Sequence, residues 1–138
     1  MSRRLAREVV FRALFRVDIG KCRPELALKH SLEGYNFSSA EEQFIRDLVS
    51  GTVDNNPELD NLIRKHLVKW ELERLSAVDR NLLRLALFEI LYRPDIPHAV
   101  SINEALDLAK KYGSTAEAVG FINSVLDRAL GESFEKES

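Results

Sequence analysis

The chain has 138 residues, 45% hydrophobic and 30% charged, with a formal net charge of −2. This is the make-up of one globular domain long enough to bury a core, which argues against disorder; no apolar run reaches the roughly 18–20 residues of a membrane-spanning helix. A single cysteine, Cys22, excludes an internal disulfide and a CxxC zinc pair.

Apolar periodicity near 3.6 runs through almost the whole chain, and the alternation of strands is hard to find, which predicts an all-α fold of about six to seven helices. The first spans Arg3 to Ile19, with Ala6, Val10, Ala13 and Val17 as its apolar stripe and Val9 and Leu14 widening it. GKCRP ends it, and a shorter helix fits Pro24 to Leu32, with Pro24 in the first turn and Leu26, Leu28 and Leu32 as apolar contacts. Ser39 and Glu42 have the spacing of a capping box before a helix whose core side is Phe44, Ile45, Leu48 and Val49. GTVDNNPELD predicts a break near Pro57 and renewed helix through Leu59, Leu62, Ile63 and Leu67, with Trp70 and Leu72 closing the element on the core.

The next helix, in LSAVDRNLLRLALFEILYR, has Ser76 as N-cap and Asp79 in its first turn. Leu82, Leu83, Leu85, Ala86, Leu87, Phe88, Ile90 and Leu91 leave it little polar surface, so it is expected at the centre of the molecule. Pro94 and Pro97 end it. SINE at 101–104 reads as a capping box for a helix stopping at Gly113, and Ser114 with Glu117 as another, for a last helix to about Leu130 with a frayed tail.

Charge is unevenly distributed. Residues 1–23 hold seven basic side chains against Glu8 and Asp18, a net of +5, which leaves −7 for the rest. Such a block suggests a polyanionic partner at one face, or else a solvated helix end. Arg3, Arg4 and Arg7 occupy the first turns of a helix, where the macrodipole disfavours cations, so something outside the helix must compensate them. Phe11 and Phe15 project together, away from the apolar stripe. With the arginines they have the chemistry of single-stranded RNA binding, in which guanidinium groups meet phosphates and aromatic faces stack on bases. The alternative is that both rings pack beneath a neighbouring helix.

Catalytic signatures are absent: the sequence contains no glycine-rich phosphate loop, no G-x-S-x-G elbow and no HExxH. His30, His66 and His98 are far apart, and neither a metal nor a cofactor is expected. The arginine-rich start lacks the apolar stretch of a secretory signal, and a cytoplasmic location is expected.

LSAVDRNLLRLALFEIL, IPHAVSINEALDLAKKYG and GFINSVLDRAL resemble, in order and spacing, signature blocks of the NusB family of bacterial antitermination factors. The opening arginines followed by ALFRVD are similar to the same family's N-terminus. The resemblance implies two perpendicular helical subdomains, about 1–70 and 71–131, in one compact domain without enzymatic activity. It also implies pairing with NusE, a small-subunit ribosomal protein, and binding of the boxA element of nascent ribosomal RNA leader transcripts within the RNA polymerase antitermination complex. Carried onto this chain, Arg3, Arg4 and Arg7 are expected at the RNA, as are Phe121 and Asn123 in FINS, while Phe15 and Asp79 match positions expected near NusE. Two departures stand out. Ser124 replaces a glycine of the family pattern, and Gly120 replaces a lysine, which removes one basic contact.

Two other readings compete. NusB-like domains also occur as targeting modules of RNA methyltransferases, but the 138 residues hold no glycine-rich cofactor loop. A homodimer with Phe11, Phe15 and the arginines in a self-interface is the other.

Overall fold

The structure is a computed structural model that describes residues 3–67 and 72–137. Among the described residues there are seven α-helices, one 3-10 turn (Leu72–Arg74) and no strand. The helices are α1 (Arg3–Ile19), α2 (Pro24–Leu32), α3 (Ser39–Asp54), α4 (Asn56–Lys65), α5 (Ala77–Tyr92), α6 (His98–Lys111) and α7 (Ala116–Glu137). Trp70 lies outside the described residues.

The bounds of α1 and α2 agree with the apolar pattern. Leu28 of α2 is buried, but Leu26 is 46% exposed, because the neighbouring Ala27 takes the inward direction instead. The cap of α3 is one residue earlier than its sequence suggests: Ser38 accepts from the Glu41 N–H, and the Glu41 side chain accepts from the Ser38 N–H. The expected break falls at Asn55, between α3 and α4, with Pro57 in the first turn of α4.

Two expected caps are different structures. α6 begins at His98 behind Pro97, so Ser101 stands one turn inside the helix, buried, with its hydroxyl donating to Glu89 at 3.0 Å. α7 is capped by Thr115, whose hydroxyl accepts from the Ala118 N–H at 3.0 Å, while Ser114 turns to Asp79. α7 also continues past Gly131 to Glu137 instead of ending near Leu130.

α5 is central. It packs against α1, α3, α4, α6 and α7, and every residue from 81 to 90 is buried. Its apolar surface extends around the helix, so it needs cover on every side. Leu91, expected in the core, is 37% exposed because the cover ends with the last turn of α5. Gly51 of α3 faces α5, and a Cβ there would stand 2.0 Å from the Phe88 ring.

A polar network ties α1 and α4 to one side of α5. The Asp18 carboxylate accepts from Arg80 at 2.8 Å and from Asn81 at 2.9 Å, while Arg84 forks onto Asp60 at 2.7 and 2.9 Å. Burial pushes the Asp18 carboxyl up, but hydrogen bonds from Arg80 and Asn81 and the charges of Arg80 and Arg84 outweigh it and hold it below its ordinary value.

Two outcomes follow from this packing. Gly51→Ala forces the Phe88 ring aside and should cost about 1–3 kcal/mol of unfolding free energy, measured by urea denaturation. Asp18, with a folded pKa below its unfolded value of about 3.9, contributes fully above that value and loses its contribution as pH falls through the folded one. Asp18→Asn should therefore be less stable than the parent chain at pH 7, and the gap should narrow as urea melts are taken below about pH 4.

Candidate nucleic-acid and partner interface

Helix α1 has no acidic residue in its first turn, and its five arginines diverge at about 100° per residue. Each meets a group on another part of the molecule. The Arg3 guanidinium lies 4.4 Å from the centre of the Phe44 ring. Arg4 donates to Glu104 at 3.1 Å and to Asp107 at 3.0 Å, both on α6. Arg7 donates to Glu89 of α5 at 2.9 and 3.1 Å. Arg12 donates to the hydroxyls of Tyr112 and Tyr35, both at 2.8 Å, and Arg16 to Ser31 at 2.9 Å. For Arg4 and Arg7 the compensation that the helix dipole demands comes from carboxylates of α6 and α5, and for Arg3 from the Phe44 ring of α3. Hydrogen bonding to Glu104, then the charges of Glu104 and Asp107, raise the Arg4 guanidinium further above its ordinary pKa.

Two residues expected at the RNA are internal. Arg7 is 3% exposed and paired with Glu89, so it is a structural cation and not a phosphate contact. Phe11 is 2% exposed, its ring 4.8 Å from that of Tyr112, so it belongs to the core. The physical reason is the width of the buried sector: α2, α3, α5 and α6 all pack on α1, and Arg7, Phe11 and Leu14 share one direction at i, i+4 and i+7. Burial also removes both from any self-interface.

The remaining candidates form two groups. Arg3 and Arg4 are exposed at the start of α1. Phe15 is half-buried about 16 Å further along that helix axis. It lines a concavity of about 230 Å³ with Arg12, Arg16, Val78 and Tyr112, and Phe11 forms part of its floor. The next residue after Val78 is Asp79, which is buried and accepts a 2.6 Å hydrogen bond from the Ser114 hydroxyl, while its own N–H is capped by Ser76. Asp79 also lines a second concavity of about 270 Å³ with Arg74, Ser76, Thr115, Glu117 and Phe121.

Phe15, Asp79 and Phe121 therefore flank one feature, the first turn of α5. Phe121 is half-buried and packs against the core, so one face of its ring is already committed. Asn123 is exposed, but two positions on it points about 200° around α7 and lies outside this concavity.

The α1–α6 seam went unread in the sequence. Arg4 meets Asp107 and Glu8 meets Lys111 at 2.9 Å, so the two helices advance side by side in the same direction with reciprocal charges. The available signal was the i, i+4 spacing of Arg4 and Glu8 against the matching spacing of Asp107 and Lys111. Among the described residues no group of three or more His, Cys, Asp or Glu is placed to hold a metal ion, and no helix is long and apolar enough to cross a membrane.

The family model described as the NusB family matches residues 4–130. The chain belongs to the NusB family. A transcription antitermination protein NusB from Desulforamulus reducens is 46% identical over 130 residues, covering 94% of this chain and 90% of its own. The solved structure of T. maritima NusB superposes with a TM-score of 0.89 at 38% identity, covering 96% of this chain and 92% of that one. A chain in the crystal structure of the antitermination factors NusB and NusE in complex with double-stranded RNA gives a TM-score of 0.86 at 30% identity, covering 94% of this chain and 96% of that one. A Cβ added at Gly120 meets nothing within 4 Å, so steric exclusion does not account for that glycine.

The internal role of Arg7 has a measurable consequence. Arg7→Met strands the Glu89 charge in the core and should lower unfolding free energy by about 3–5 kcal/mol, whereas combining it with Glu89→Leu should recover most of that loss in chemical denaturation.

Proposed function

We propose that the chain is an antitermination factor that works by assembly and not by catalysis, in the cytoplasm. Together with NusE it binds the boxA element of nascent ribosomal RNA leader transcripts, and the assembly lets RNA polymerase pass terminators. The observation that carries this reading is membership of the NusB family over nearly the whole chain, joined to the likeness to a structure of NusB with NusE and RNA.

On this reading Arg3 and Arg4 offer guanidinium groups to RNA phosphates, and Phe121 offers the free part of its ring to a base, with Asn123 as a polar contact beyond it. Phe15 and Asp79 face NusE. The grouping supports the assignment, because Phe15, Asp79 and Phe121 surround the first turn of α5, where a partner on one side stands next to RNA on the other. Asp79 acts there through its hydrogen bond with Ser114, which ties the α6–α7 connection to α5.

The deciding experiment is a binding titration with single-stranded boxA RNA, a scrambled strand of equal length and a duplex of the same sequence, each with and without NusE. Preference for the boxA single strand, strengthened by NusE, is the expected result; equal affinity for all three in both conditions overturns the reading. Affinity should fall with salt at about 0.7 log units per log unit for each phosphate neutralised on a single strand.

Two substitutions test the residues. Arg4→Gln should weaken RNA binding severalfold and cost at most about 1 kcal/mol of unfolding free energy, because the ion pairs it gives up with Glu104 and Asp107 are largely exposed. Phe121→Ala should weaken boxA binding about tenfold, from loss of 1–3 kcal/mol of stacking, and cost about half of the 3–5 kcal/mol of a fully buried phenylalanine. Loss of stability with RNA affinity intact would assign Phe121 to the core alone.

A further inference from the structure

We propose that Glu104 and Asp107 are an acidic brake on RNA affinity, holding the Arg4 guanidinium in competition with phosphate. The inference rests on the reading of Arg4 as an RNA contact.

Arg4 is the most heavily engaged of the exposed arginines of α1. Its Nε meets Glu104 Oε2 at 3.1 Å, and its Nη2 meets Glu104 Oε1 at 3.2 Å and Asp107 Oδ2 at 3.0 Å. One of the two edges with which a guanidinium can grip a phosphate by two parallel bonds, Nε–Nη2, is thereby occupied by carboxylates. Arg3 differs: it lies over the Phe44 ring, which engages the face of the guanidinium and not its N–H edge.

The surroundings of Arg4 are also of the wrong sign for an anion. The groove between α1 and α6, of about 410 Å³, is lined by Arg4 and Lys111 against Glu8, Glu104 and Asp107. Two cations face three carboxylates, a net of −1. Lys111 and Glu8 neutralise each other at 2.9 Å, so Arg4 alone offsets Glu104 and Asp107. A phosphate approaching Arg4 meets both carboxylates within a few ångströms of its path, well inside the roughly 8–10 Å over which physiological salt leaves charges interacting.

The arrangement fits a brake and not a block. Glu104 is the inner anchor, with 16% of its side chain exposed, whereas Asp107 and Arg4 are 48% and 65% exposed. Ion pairs so exposed are weak and screened by salt. A polyanion with several other contacts can displace this one, and binding is reduced instead of abolished. The cost is the same for every strand, so the brake lowers affinity without changing the ratio between sequences.

The test compares the parent chain with Glu104→Gln/Asp107→Asn, titrating fluorescently labelled boxA single strand and a scrambled strand at low salt. A control, Glu25→Gln/Glu33→Gln, removes two exposed carboxylates on and just beyond α2, and thermal unfolding checks that each variant is folded. The α6 variant should bind both strands roughly three- to tenfold more tightly, because phosphate contacts carry no sequence information, and its salt dependence should steepen by about one phosphate contact. The gain should shrink in an Arg4→Ala background and be absent from the control. Unchanged or weaker binding, or a gain of equal size in the Arg4→Ala background or in the control, overturns the brake. If the double variant unfolds, Asp107→Asn alone, at an exposed position, should still give a smaller gain, and no gain overturns the proposal. Failure of the parent chain to bind either strand, with or without NusE, overturns the RNA reading itself, which the comparison between variants keeps distinct.

Discussion

Helix α5 offers no face to water over residues 81–90, and this constraint organises the molecule. Five other helices cover it, and apolar contact alone would let them slide. The charged groups within α5 prevent that, since each buried one is answered from a different element. Asp79 takes the hydroxyl of Ser114, Arg84 takes Asp60, and Glu89 takes Arg7 of α1 and Ser101 of α6. Shifting α1 by one turn would leave Glu89 buried without its cation, at a cost of several kcal/mol, so the pair selects the register in which the core closes.

That register determines what is left for the outside. A block that reads as a strong positive charge in the sequence is largely engaged within the fold: Arg7 is internal, Arg4 is bound to α6, and Arg12 and Arg16 hydrogen-bond to hydroxyl groups of other elements. The opening arginines are first of all the means by which α1 docks. On the proposed reading, an RNA surface built on them consists of what remains exposed, with its strength set by acidic residues a hundred positions away in the chain.

Most of the fold was legible because it depends on period alone. The apolar stripe placed α1 and α2 at their observed bounds, the all-round apolarity of LLRLALFEI predicted a central α5, and Ser76 with Asp79 marked its start. Capping was less legible where two candidate residues adjoin: Ser38 and Ser39 each have a glutamate three positions on, and only the turn geometry chooses between them. SINE has the spacing of a capping box, but the helix has already begun behind Pro97, so Ser101 serves Glu89. Phe11 and Arg7 were misread because a stripe drawn through the smallest residues understates a sector covered by several neighbours. The site was legible only as residue types; that Phe15, Asp79 and Phe121 converge on one turn depends on chain crossings that periodicity does not encode.

The buried pair of Arg7 and Glu89 also bears on how the chain folds. The partners are 82 residues apart in sequence, so their contact joins the start of the chain to its central helix across a long loop, whose closure costs chain entropy. A half-formed molecule with α5 enclosed and α1 detached would bury a carboxylate with no cation, and one with α1 collapsed alone would strand a guanidinium. Both partial states lie high in free energy. The N-terminal and C-terminal helices are thus obliged to consolidate together, and a chain with this wiring has no low-energy resting place in which one half is native and the other is not.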